Sequence, residues 1–144
     1  MRNIIKNKGL IIKVQDYLEN AVLATVLTAS GKETLIIRGA KKINTSTKRL
    51  ANILTLIEFN HTESKGLSTL TEGVVIDNYT SIKDDLIRFN YAVVILEKIS
   101  FFVEQVTDFN TLYNFTISLL DRLKNTDYLN AYNLIFEIKF LYLL

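Results

Sequence analysis

Apolar residues follow two different periods along this chain, and the change between them falls near residue 79. Before it, short apolar runs alternate with turn residues. Gly9-Leu10-Ile11-Ile12-Lys13-Val14 predicts a first strand, followed by a turn-like Asp16-Tyr17-Leu18-Glu19-Asn20. Ala21 to Thr28 predicts a second strand, closed by the hairpin turn Ser30-Gly31-Lys32. Glu33 to Arg38 predicts a third, with Leu35 and Ile37 alternating against Thr34 and Ile36. A fourth is expected over Ile53 to Asn60 and a fifth over Leu67 to Ile76, separated by the turn Glu63-Ser64-Lys65-Gly66. Five short strands within so few residues predict a small barrel whose edges are hidden by closure.

After residue 79 the period becomes helical. Ser81-Ile82-Lys83-Asp84 reads as a helix start, with Ser81 or Asp84 as the cap. From Leu86 to Val106 the apolar positions are so dense that a central helix buried on most sides is expected. A second helix is predicted from Phe109 to Lys124 with Leu112, Phe115, Leu119, Leu120 and Leu123 as its stripe. Asn125-Thr126-Asp127 ends it and caps a third helix from Tyr128 onward. Most of the aromatic residues of this part fall at helical spacing and are expected in its core. The last stretch, Leu134 to Leu144, is almost wholly apolar and has no polar tail, which suggests a piece of a longer protein. The fold class is therefore all-β plus all-α: a five-stranded OB-fold barrel over 1–78, followed by an α-helical region over 79–144 that is the start of a larger domain.

Composition narrows the chemistry. Hydrophobic residues make up 49% and charged residues 22%, which is globular composition. There is no cysteine, so these residues form neither a disulfide nor a thiolate zinc site. The first ten residues contain no apolar signal core, and no apolar run reaches the ~20 residues of a membrane span. A cytoplasmic protein without a membrane role is expected. No phosphate-cradling glycine loop, catalytic triad or activated nucleophile is present, so the chain reads as a non-enzyme without a cofactor. His61 falls in Asn60-His61-Thr62-Glu63, a polar surface turn, and Asp84-Asp85 read as helix-capping residues.

Charge is unevenly spread. Residues 1–50 hold ten cations against three anions, whereas the rest hold seven against twelve. Such asymmetry points to a polyanion-facing surface. Its centre is the third strand and the segment that follows, Gly39-Ala40-Lys41-Lys42-Ile43-Asn44-Thr45-Ser46-Thr47-Lys48-Arg49, read as a cationic, hydroxyl-rich loop. Ammonium and guanidinium groups on such a loop suit phosphate contact. Lys41, Lys42, Lys48 and Arg49 are the leading DNA-binding candidates, with Lys13 and Lys32 extending the surface. Arg38 faces either DNA or an intramolecular partner such as Glu72. Tyr17 is the one aromatic residue among the first fifty and is a candidate for base stacking or for a barrel lid. The scarcity of aromatics favours sequence-blind contact with the backbone.

The same residues carry a family resemblance. Gly31-Lys32 with Ile36-Ile37-Arg38-Gly39-Ala40-Lys41-Lys42 and Ser46-Thr47-Lys48-Arg49-Leu50-Ala51 resembles the signature of the N-terminal domain of the RecO family of bacterial recombination mediators. Gly9 to Lys13 with Tyr17 and Glu19, Leu50 to Leu54, Lys65 to Glu72 and Asp84 to Ala92 are similar to further family segments in the same order. The resemblance implies an OB-fold and then helices, in a protein that binds single- and double-stranded DNA and anneals strands. It also implies partners, RecR and single-strand-binding protein, in loading RecA. Many members carry a four-cysteine zinc site further along, which these residues do not contain. The rival reading is an OB-fold protein-interaction adaptor that does not bind DNA.

Overall fold

In the computed structural model, which describes residues 4–41, 46–62 and 67–144, five strands precede a run of helices. β1 (Ile4–Tyr17), β2 (Ala21–Thr28), β3 (Gly31–Arg38), β4 (Thr55–Thr62) and β5 (Ser68–Asp77) close into a barrel in the order β1-β2-β3-β5-β4. β1 is antiparallel to both β2 and β4, β4 is antiparallel to β5, and β3 runs parallel to β5. A short helix, α1 (Ser46–Leu50), lies between β3 and β4 in the chain. This is the five-stranded OB arrangement followed by helices. The chain clusters into two compact units, one of residues up to Thr28 and from Lys32 to Asn78, the other of Ala29–Gly31 and Tyr79–Leu144.

Strand alternation fills the barrel. Val22, Ala24 and Val26 of β2, Leu35 and Ile37 of β3, and Ile57 and Phe59 of β4 point inward, packed with Ala40, Leu50 and Ala51. β1 extends well beyond the predicted Gly9–Val14 at both ends, leaving only Leu18–Asn20 as turn. Its early residues, Lys6-Asn7-Lys8, have poor strand propensity, which pairing with β4 overrides. The bond pattern explains Gly9: a Cβ there would stand 2.4 Å from a Val26 methyl and 2.8 Å from the Leu27 carbonyl oxygen.

His61 also departs from expectation. It lies in β4 opposite Ile5 and Leu70 and is 3% exposed, with its ring 5.5 Å from that of Phe59. β4 continues two residues past the predicted end, and the shared inward parity of Ile57, Phe59 and His61 carries the imidazole into the barrel. Among the described residues, β3 and β5 close the barrel through two pairs, Leu35 with Ser68 and Ile36 with Thr69.

The second unit contains α2 (Thr80–Lys83), α3 (Leu86–Phe102), a 3₁₀ turn (Val103–Gln105), α4 (Phe109–Leu123) and α5 (Leu129–Leu143). The cap of α3 is Asp85, not Ser81 or Asp84; its carboxylate accepts from the N–H groups of Ile87 and Arg88. α3 ends at Phe102 and buries one face only, through Ala92, Ile95, Leu96 and Ile99. Leu86 and Phe101 are 82% and 79% exposed, so the expected central helix buried on most sides is corrected. Apolar density in a sequence shows what needs burial but not whether a neighbour covers it. α4 buries Leu112, Leu119, Leu120 and Leu123 as predicted, while Phe115 is half-buried and stacks on Phe136. α5 buries Tyr132, Phe136 and Phe140 and exposes Leu134, Ile138 and Leu141 on its opposite side. Of the aromatic residues expected mostly in this core, Tyr113, Tyr132, Phe136 and Phe140 are buried, whereas Phe101, Phe102, Tyr128 and Tyr142 are exposed.

Candidate nucleic-acid interface

The cationic segment is held at both ends by the barrel interior. Ala40, just before it, and Leu50 and Ala51, just after, belong to the buried core, which anchors the chain on either side of the segment. Gly39 leaves β3 with φ 74°, a left-handed angle that glycine adopts without Cβ strain, and its N–H donates to the Asn20 carbonyl at 2.7 Å. That bond ties the exit of β3 to the turn between β1 and β2. Lys41 follows and reaches back to the same turn: its ammonium lies 3.4 Å from Asp16 Oδ1 and donates to the Leu18 carbonyl at 3.3 Å.

One end of the barrel thus gathers Tyr17, Arg38 and Lys41. Tyr17, half-buried, is the last residue of β1 and pairs with Ala21. Arg38 is exposed at the last position of β3, on the outer side, because Leu35 and Ile37 take the inner one. Its proposed partner Glu72 instead accepts from the Asn60 amide at 2.7 Å. Lys13 is exposed on β1 opposite Thr25, on the outer face that it shares with Tyr17 by alternation. Lys32 is exposed at the other end of β3, six positions or ~20 Å from Arg38. Lys48 and Arg49 are exposed on α1, so the stretch read as one continuous loop contains a helical turn. Lys42 lies outside the described residues.

Sequence reasoning passed over two residues here. Asp16 places a carboxylate against the Lys41 ammonium, and Leu18 is 64% exposed with φ 57°, a left-handed angle unfavourable for a branched side chain. The contact of Asp16 crosses between distant parts of the chain, and no local pattern announces it. A turn-like composition was visible at Leu18, but its backbone angle was not.

The geometry is that of an OB barrel, whose outer face over the second and third strands and whose first turn serve in oligonucleotide binding across many such folds. The profile of the family described as "Recombination protein O N terminal" matches residues 1–79, more than half of the chain. The chain belongs to the RecO family. Among the RecO relatives, the "DNA repair protein RecO" of Clostridium perfringens (strain 13 / Type A) is 33% identical over 96% of this chain and 57% of its own length. That of Listeria monocytogenes serotype 4b (strain CLIP80459) is 29% identical over 94% of this chain and 54% of its own. The chain spans about half the length of the curated relatives it matches.

The four-cysteine zinc site of many RecO members has no ligands in this cysteine-free sequence. Among the described residues no group of His, Cys, Asp and Glu is placed to hold a metal ion. No helix among them is long and apolar enough to cross a membrane.

Proposed function

We propose that this RecO-family chain contributes the DNA-contacting barrel of a repair and recombination mediator. The reading rests on one observation above others: Arg38, Lys41 and Tyr17 converge at one end of an OB barrel, beside a segment that carries Lys42, Lys48 and Arg49. The relatives' name, DNA repair protein, points the same way. The surface binds single- and double-stranded DNA through phosphates, with little preference for sequence. Annealing follows from the same electrostatics. Two strands repel across distances comparable with the ~10 Å Debye length at 0.1 M salt, and cations set between them remove that barrier. In the cell such a protein works at the nucleoid with RecR and single-strand-binding protein to load RecA. None of this needs a bond-breaking step, so the protein acts as a non-enzyme.

The test is anisotropy of a labelled single-stranded oligonucleotide titrated with this chain at several salt concentrations. Replacing Lys41, Lys42, Lys48 and Arg49 together by alanine should flatten the log–log salt slope by about 3, since each phosphate contact contributes ~0.7 on single strands. An unchanged slope would remove these residues from the interface. Absence of binding even at low salt would favour the adaptor reading.

A further inference from the structure

Part of one edge of β5 is paired with no strand among the described residues, although α1 packs against β5 near Gly73. β5 pairs with β4 along its length but with β3 only at Ser68 and Thr69. Among the described residues, no strand pairs with its other edge from Leu70 to Ile76. Thr71, Glu72, Val74, Val75 and Ile76 are all exposed there, Val74 at 62%. The pairing of β4 with β5 skips Thr71 and Ile76, so Glu72–Val75 is the regular stretch between two bulges. A row of outward N–H and C=O groups flanked by bare valines is a template for another extended chain.

Charge selects what that chain is. β5 carries Glu72 and Asp77 and no cation, so it suits a cationic partner and disfavours a polyanion. Over β1, β4 and β5, a groove of about 270 Å³ is lined by Lys6, Glu58, Phe59, Asn60, Glu72, Gly73 and Val74. Lys6 is bound by Glu58 at 2.9 Å and Asn60 by Glu72 at 2.7 Å, which leaves two carboxylates to one ammonium in the groove.

We propose that the edge of β5 from Glu72 to Val75 binds an extended segment of a partner protein by strand addition, the segment being apolar at alternate positions and basic between them. Backbone hydrogen bonds give the affinity, the valines select apolar side chains, and the carboxylates of the groove select Lys or Arg. The two bulges confine pairing to one short strand and keep the sheet from propagating through further copies.

The experiment is NMR titration of the whole isotope-labelled chain with an octapeptide alternating Val and Lys, and with its Val/Glu counterpart. The Val/Lys peptide should shift the amides of Glu72–Val75 and slow at least tenfold the exchange of the alternate ones that face the free edge, and the Val/Glu peptide should bind at least fivefold more weakly. Val75→Pro should abolish the effect by removing an amide. Because a proline in the barrel also endangers folding, Val74→Lys is the second variant; it adds an outward cation and should weaken the Val/Lys peptide at least fivefold. Any one of three results would overturn the proposal: no shift at millimolar peptide, equal binding of both peptides, or shifts confined to residues outside β5. Concentration-dependent self-association through β5 without peptide would also overturn it, by assigning the edge to a second copy of the chain.

Discussion

The carboxylate of Asp16 stands 3.4 Å from the Lys41 ammonium, at the end of the barrel where the proposed DNA surface is most cationic. It does two things to a phosphate approaching that end: it occupies the cation and it repels the anion. Asp16 is itself 88% exposed, so the pair is a surface one and contributes at most about 1 kcal/mol. Asp16→Asn should therefore tighten oligonucleotide binding by up to about fivefold at low salt, with the gain fading as salt rises. Anisotropy titrations of the two proteins at matched salt check this, and weaker binding by the variant would place Lys41 outside the interface. The sequence made Lys41 legible as a cation but could not reveal that it is already engaged. For His61 the failure was of another kind. Its polar neighbours suggested a turn, and only the inward parity shared with Ile57 and Phe59 carries it into the core.

Among the elements, the start of α3 shows what the family-like segment Asp84 to Ala92 does. Asp85 caps the helix, and Arg88, one turn on, is 16% exposed and bonded on several sides. Its Nε donates to Asp85 Oδ2 at 3.2 Å, and Nη1 donates to the Leu123 and Thr126 carbonyls at 2.7 and 2.5 Å. One guanidinium thus joins the first turn of α3 to the last carbonyls around the end of α4, where orphan acceptors and the helix dipole favour a cation. Arg88→Ala leaves those carbonyls without their donor and should cost about 2–3 kcal/mol in chemical unfolding. Arg88→Lys should recover only part of it, because an ammonium lacks the planar fork. A loss under ~0.5 kcal/mol, the range of ordinary surface substitutions, would mean that water replaces the clamp. The strands and α4 were legible because their apolar periods matched the faces they bury. The extent of α3's burial was not, because Leu86, Ile87 and Phe101 satisfy a helical pattern without a neighbour to cover them.

At the scale of the whole molecule, charge and shape divide along the same line. Residues 1–78 carry eleven cations against seven anions and residues 79–144 six against eight, so the basic field belongs to the barrel. Within that barrel β1 serves two partners. Its first part, Ile4 to Ile11, lies along β4, its later part, Leu10 to Tyr17, along β2, and Leu10 and Ile11 belong to both ladders. Those two residues act as a keystone. Neither ladder can peel from β1 across them without loosening the other, so local opening of the barrel is suppressed in favour of a single cooperative event. Amides of the β2 and β4 ladders near Leu10 and Ile11 should then exchange with deuterium at protection factors within about tenfold of each other, set by global unfolding. A wider spread would mean that the two ladders open separately. The annealing proposed above would gain from such all-or-none behaviour, since a surface that opens only as a whole keeps its cations in register under load.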